Sequence, residues 1–437
     1  MSSKNNQANS LKRTLGPLML WGLGVGYVIS GMYFGWNLGL EKGGTLGLAV
    51  ATFFIIIMYL AFTFSYTELA CSIPKAGGAF TYAMRGLGEN WGFIGGMAQN
   101  IEFIFAPPAI AFAIGAYLNL FFPSIPVLTI AIVAYLVFTG LNIYGVKAAA
   151  SFELIITLIA VIELLIFAGA AIPHFEVANL SKNALPNGWS GAFAAIPFAI
   201  WFFLAIEGVA NVAEETINPQ RNILIGFGSA ILTLVTLCIL TFSTSVGING
   251  WEAIVFDAAG NASDSPLPLA LSHAYGEHHI LYKLVTSIGL FGLVASFHGI
   301  ILAAGRSTFE FGREGYAPMF LGKVHASFKT PANALLINMI IGIIALFTGK
   351  TAEIITIACF GALSLYIVSM LAMLALRRKE PKLERPFKVP FYPIAPIVAL
   401  IIASVALLAM TIYNLTLALI YFGIMAVCFI GFKLGLK

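Results

Sequence analysis

Residues 22–37 read GLGVGYVISGMYFGWN, a run apolar enough to enter a membrane but carrying Gly22, Gly24, Gly26, Gly31 and Gly35 within fourteen residues. Glycine weakens a helix by up to ~1 kcal/mol per residue relative to alanine, so this span is poorly suited to be one continuous helix. A second stretch has the same fault. Residues 194–215 read AAIPFAIWFFLAIEGVANVAEE, with Pro197 near the start and Glu207-Gly208 in the middle. Interrupted hydrophobic segments at corresponding positions of two halves are the best sequence pointer to a substrate site near the membrane midplane. Unwound backbone survives at that depth only where it lines a cavity or packs in protein, and there its carbonyls can hold a cation and its N–H groups an anion. Close helix–helix packing is the other use of such glycines and stays open.

The composition fixes the class. Of 437 residues 59% are hydrophobic and 10% charged, against about 25% charged in a soluble domain. Disorder, nucleic-acid partners and a large polar catalytic surface are excluded, and a polytopic protein of the lipid bilayer is expected. Twelve apolar stretches fall roughly at 15–40, 44–70, 91–121, 125–144, 151–172, 190–211, 221–247, 283–311, 332–348, 352–376, 393–412 and 415–434. With the N-terminus inside, nineteen of the 23 Lys and Arg residues fall on the inner side and only Lys42, Lys182, Lys283 and Lys350 on the outer. That is the positive-inside bias, and it favours twelve spans with both termini cytoplasmic. The outer loop near 248–282 carries Glu252, Asp257, Asp264 and Glu277 and no Lys or Arg. Its histidines, His273, His278 and His279, read as solvated loop residues, so no metal site is expected. Cys71, Cys238, Cys359 and Cys428 lie in or beside apolar runs without a CxxC pair and read as small buried hydrophobes. The first apolar run is too long for a signal core and shows no cleavage site. No HExxH, P-loop or GxSxG pattern suggests an enzyme, and tails of about 14 and three residues leave no room for a sensor domain.

Ordered motifs then point to a family. After the second span come Glu68, Pro74, Gly77-Gly78, Tyr82 and Arg85; after the fourth, Asn142 and Gly145-Val146-Lys147; after the sixth, Ala213-Glu214-Glu215, Asn218-Pro219 and Arg221. After the eighth come Arg306, Arg313-Glu314-Gly315 and Pro318, then Thr330-Pro331; after the tenth, Arg377-Arg378 and Arg385-Pro386-Phe387. In this order they resemble the amino acid–polyamine–organocation (APC) superfamily of secondary transporters over nearly the whole chain. Most read as turns, caps and salt bridges of an inner gate. Within the superfamily, GYVISGMYFGWNLGL (26–40) and AQNIEFIFAPPAIAFAIGAYL (98–118) are most similar to the ethanolamine permeases.

The resemblance implies an all-α membrane protein of the LeuT-like APC fold, with twelve transmembrane helices, the first and sixth broken. It divides into a tail (1–14), a ten-helix core (15–376) of inverted five-helix repeats (15–172 and 190–376), a basic cytoplasmic connector (377–392) and two additional helices (393–434). The implied site lies between spans 1, 3, 6, 8 and 10. In the related arginine–agmatine antiporters the tryptophan matching Trp201 is a gate over the substrate, and the glutamate matching Glu207 takes part in gating and pH response. Tyr366 resembles the gate tyrosine that pairs with this glutamate, and Ala205 stands where the family usually has glycine. Many proton-coupled members carry a lysine in the fifth span, but that position is Ala160 here, so the mechanism does not carry over.

Acidic side chains inside a membrane are costly and therefore functional candidates. Glu102 in the third span is expected to bind or attract an ammonium group, unless it is a protonated carboxyl bonded between helices. Glu163 could take the place of the missing lysine or be a lipid-shielded or helix-paired carboxyl. His298 could line the pocket, bond a hydroxyl or take a proton. Ile29, Ser30, Gly31 and the Trp201–Ala205 backbone are candidates to hold an ammonium group, Ser30 or His298 a hydroxyl, and bulky Phe202 to shrink the pocket. The absent lysine suits a cation, since like charges repel strongly in low dielectric. The reading is import of ethanolamine by alternating access with H+ as coupling ion and no cofactor, in a bacterial inner membrane. An amino-acid symporter or antiporter is the alternative, and the oligomeric state is left open.

Overall fold

In hydrocarbon every backbone N–H and C=O must be satisfied within its own segment, which leaves long apolar runs no option but helix. The computed structural model describes residues 13–435 except 76, 145–148 and 258, together with the side chains of all of these but 149 and 150. Lys4, Lys12, Ala76 of the Glu68–Arg85 motif, Gly145-Val146-Lys147 and Lys437 lie outside the described residues. In chain order the helices are α1 (Pro17–Val28), α2 (Ser30–Tyr33), α3 (Leu38–Ser72), α4 (Ala79–Leu87), α5 (Glu89–Asn119), α6 (Val127–Tyr144), α7 (Ala149–Ala171), α8 (Val177–Ser181), α9 (Gly188–Ala194) and α10 (Ile196–Trp201). A 3-10 segment (Ile206–Glu215) follows, then α11 (Pro219–Asn249), α12 (Glu252–Val255), α13 (Pro266–Tyr275), α14 (Ile280–Arg313), α15 (Ala332–Leu346), α16 (Thr351–Lys379), α17 (Ile394–Tyr413) and α18 (Leu415–Lys433). Among the described residues ten helical segments are long and apolar enough to cross a membrane, and α1 and α15 are shorter apolar helices. The chain is an integral, multi-pass, all-α membrane protein.

The first expected stretch is divided differently from its sequence reading. Ile29 keeps helical torsions (φ −59, ψ −23), and the chain leaves the helix only at Phe34, which is fully extended. Gly35 then takes φ +85. Leu38 starts α3, which absorbs the end of the first stretch and all of the second across a kink at Gly44 (φ 64, ψ −173). Only glycine fits there, since a Cβ would fall 2.5 Å from the Ala184 carbonyl oxygen. The sixth stretch also breaks, but at Phe202–Ala205 and not at Glu207-Gly208. Ala205 is left-handed (φ 74), a conformation that costs an alanine roughly 1–2 kcal/mol.

The interior is assembled around α5, which packs most extensively on α16 and next on α14. Gly361 of α16 allows that approach: a Cβ there would lie 2.7 Å from Ala98 O and 2.8 Å from Glu102 N. At the periphery, α17 buries a stripe of small residues (Ala399, Ala403, Ala406) and leaves Ile401, Val405, Leu408 and Ile412 exposed, as a helix facing lipid would.

At one end of the bundle the sequence motifs interlock. Glu68 of α3 is buried, with Arg377 Nε at 2.7 Å and Arg385 Nε at 3.3 Å from its Oε1. Its Oε2 accepts from Arg377 Nη2 and from Val389 N–H, both at 2.7 Å. The basic connector is thereby fastened to α3. Removing one partner of a buried pair costs about 3–5 kcal/mol, because the others stay buried and uncompensated. Glu68→Ala is expected to lower the thermal midpoint of the purified protein in detergent clearly, and Glu68→Asp to lower it less. An unshifted midpoint for E68A would contradict this role.

Candidate functional site

The two breaks meet each other. Gly31 of α2 lies against the Trp201 carbonyl oxygen and 3.1 Å (from its would-be Cβ) from Phe202 Cα, and a Cβ at Gly35 would come within 2.5 Å of Trp201 Nε1. The indole N–H of Trp201 donates to the freed carbonyl of Phe34 at 3.1 Å, and the two rings meet edge to face at 5.4 Å. The Gly35 N–H is taken by Asn37 Oδ1 at 3.0 Å. Phe202 stacks on Trp36 at 5.5 Å. Ser30 turns toward α14: its hydroxyl is 2.8 Å from that of Ser296, which donates to the Tyr27 carbonyl at 2.6 Å.

Below the second break stands a carboxyl pair. The Ala205 N–H, freed by the left-handed turn, donates to Glu102 Oε1 of α5 at 3.1 Å. The Glu102 and Glu207 carboxyls neighbour each other, while Glu102 Oε2 and Glu207 Oε1 meet no donor among the described residues. A hydrogen bond between them needs a proton on one of the two carboxyls. Tyr366 of α16 donates to Glu207 Oε2 at 3.1 Å, and its hydroxyl is 3.0 Å from that of Tyr59 on α3. Glu102, Trp201, Phe202, Ala205, Glu207 and Tyr366 thus come together, with Gly31 against Trp201 and Phe202, and these residues, like Ile29 and Ser30 beside Gly31 in the chain, are buried.

Two candidates lie apart. Glu163 of α7 is bonded by the Tyr33 hydroxyl, which also lies 3.0 Å from the Ala160 carbonyl oxygen. His298 of α14 faces Glu153 of α7, Nδ1 to Oε2 3.6 Å, between the rings of Phe138 and Phe152. Glu153, Tyr59, Ser296 and Tyr33 were missed by the sequence reading. Glu153 stands at the start of its apolar run and passes for a span end, and the other three read as ordinary interior residues.

The buried charged residues among those described are five glutamates (68, 102, 153, 163, 207) and His298, and the Arg385 side chain, 6% exposed, is held against Glu68. One side of the first break is covered by the loop before α13. Asn37 Nδ2 donates to Ser263 O at 2.8 Å, and Thr351 at the start of α16 donates to Asp264 Oδ2 at 2.8 Å.

Against this geometry, sequence comparisons are direct. The profile described as amino acid permease matches residues 15–432. The chain belongs to the amino acid permease family. It is a transporter of the APC superfamily, as the motifs implied. The permease is 28% identical over 418 residues to an uncharacterized transporter of Rhizobium meliloti (91% of this chain, 87% of that protein). It is 26% identical to the methylthioribose transporter of Bacillus subtilis (91% and 88% covered) and 26% identical to that organism's branched-chain amino acid permease (90% and 87% covered). The tethered breaks and the carboxyl pair are therefore features of a small-molecule carrier.

This cover of the permease has its own pH response. Burial pushes the Asp264 carboxyl up to about 6 from 3.8, against the opposing effect of the Thr351 hydrogen bond. Between those values the folded state holds more protons than the unfolded one, so this contribution to stability falls as pH rises through the window and levels off above it. The wild-type thermal midpoint, measured relative to Asp264→Asn, is expected to fall between about pH 4 and about pH 6 and to run parallel above. A difference constant with pH would contradict the assignment.

Proposed function

We propose that this permease imports ethanolamine by alternating access, coupled to a proton, in a bacterial inner membrane with both termini cytoplasmic. In this reading α1 with α2 forms the first span and α15 the ninth, which with the ten longer segments makes twelve. The core comprises inverted five-helix repeats (15–172 and 190–376), and 393–434 supplies two additional helices. The observation that carries the substrate is the hydrogen bond from Ala205 N–H to Glu102. An amino acid would bring its own carboxylate to N–H groups freed at a helix break. Here a protein carboxylate already occupies one, and it adds negative charge where the substrate ammonium is expected. Among the described residues the lysine and arginine ion pairs all lie away from Glu102, Glu163 and Glu207, which supports a cation further. Ethanolamine offers an ammonium group for Glu102 and the nearby carbonyls, and a hydroxyl for the polar Ser30–Ser296 pair.

The second reading, an amino-acid symporter or antiporter, is supported by the printed functions of several relatives, a branched-chain amino acid permease and a glutamate/serine transporter of Bacillus subtilis among them. Uptake into proteoliposomes separates the two. Labelled ethanolamine is expected to enter, with excess arginine or neutral amino acids competing poorly. Glu102→Gln keeps an acceptor for Ala205 but loses the charge, and a charged hydrogen bond is worth about 1.5–3 kcal/mol, so KM is expected to rise about tenfold or more. Stronger competition by an amino acid, or an unchanged KM in E102Q, would overturn the ethanolamine reading.

A further inference from the structure

Glu153 and His298 are, with Glu163, buried titratable groups that the substrate site leaves unused. Their side chains are 3% and 4% exposed. Both carboxyl oxygens of Glu153 and Nδ1 of His298 lack a hydrogen-bond partner among the described residues. Buried polar atoms are seldom left unpaired, because each costs roughly 1–3 kcal/mol. Here Nδ1 and Oε2 face each other at 3.6 Å, just beyond bonding distance, and a single proton between them would complete the contact.

The place matters as much as the pair. Glu153 Oε1 lies 2.5 Å from where a Cβ would stand on Gly26 and 3.2 Å from that on Gly299. The pair therefore fills the junction of α1, α7 and α14, three residues ahead of Ile29. Beside it Thr157 of α7 donates to Gly22 O at 3.2 Å, and Ser296, two residues before His298, ties Tyr27 of α1 to α14. From α1 the titratable group facing Glu153 is Tyr27, which also feels Arg306 of α14 and Glu215. Those two are paired with each other at 3.0 Å. Apart from His298 and Tyr27, no charged or titratable group acts on Glu153 among the described residues.

We infer that the Glu153–His298 pair is the coupling-proton site of this permease, separate from the Glu102–Glu207 pair at the substrate. The inference rests on the proton-coupled reading above and names the residues that carry it out. With neutral histidine and ionised glutamate the pair has a net negative charge, which the dry, closed junction disfavours. One proton bound between Nδ1 and Oε2 makes it neutral and lets α1, α7 and α14 close upon it. When the junction opens, water solvates the bare carboxylate and the proton leaves to that side. The closed state thus selects the loaded pair, which is the differential affinity that coupling requires.

The test uses the full chain in proteoliposomes, with membrane potential clamped and pH or sodium gradients imposed separately. The probe is labelled ethanolamine or, if the wild type does not exchange it, a labelled amino acid that it does exchange. The wild type is expected to concentrate substrate under an acid-outside gradient, up to about tenfold per pH unit, and to ignore sodium. Glu153→Gln and His298→Gln are expected to lose this accumulation while still catalysing substrate counterflow. A wild type indifferent to the pH gradient would overturn the proton-coupled reading itself. A responsive wild type with an equally responsive E153Q would overturn only the assignment to this pair. Loss of counterflow together with accumulation in both variants would make the pair a structural contact and also overturn the assignment.

Discussion

Two short stretches of backbone, Phe34–Asn37 and Phe202–Ala205, lie inside an apolar bundle with hydrogen-bonding groups taken off the helical ladder. No water is at hand to satisfy them, and each unpaired group costs several kcal/mol. The protein answers with side chains borrowed from elsewhere: the Trp201 indole for Phe34 O, Asn37 for the Gly35 N–H, Glu102 for the Ala205 N–H. The first of these joins one break to the other, and the last joins the second break to α5. The residues that repair the backbone are largely those that define the site, so opening the site means trading these bonds for others.

Choosing a carboxylate for the Ala205 N–H has further consequences. It brings Glu102 against Glu207, and the pair needs a proton to close. Glu207 in turn leans on Tyr366, and Tyr366 on Tyr59, so α5, α16 and α3 are linked through one polar chain. On α7 the ten residues between Glu153 and Glu163 span about 15 Å, which separates one carboxyl facing α14 from another held by Tyr33. Every one of these intramembrane charges has the same sign. On the proposed reading, a carrier built this way attracts ammonium groups to its centre and offers no fixed cation to a substrate carboxylate.

The first broken span was legible because its cause is local, glycine density around Gly31 and Gly35; in the second, Pro197 marked only the start of α10. The positions of the breaks were less so. Ala205 carries the left-handed turn although alanine disfavours it, so nothing in its identity marked the spot, and Ile29 remained helical while Phe34 became extended. The Glu207–Tyr366 pair followed from the family resemblance. The Glu102–Ala205 bond did not, because it depends on the register of α5, which Gly361 of α16 sets through a contact 259 residues away in sequence. Glu153 was missed for a related reason. Its position near the start of an apolar run suggests a solvated span end, and only the room made by Gly26 and Gly299 buries it.

The central claim is that Glu102 already occupies, at the second break, the place of a substrate carboxylate. Ethanolamine and glycine share an ammonium on a two-carbon skeleton and differ in a hydroxymethyl group against a carboxylate. Titration calorimetry of the purified permease with each, in the same detergent and at neutral pH, tests the claim most directly. The account predicts a saturable binding isotherm for ethanolamine and none for glycine at equal concentrations. Glycine binding as tightly as ethanolamine, or more tightly, would contradict it.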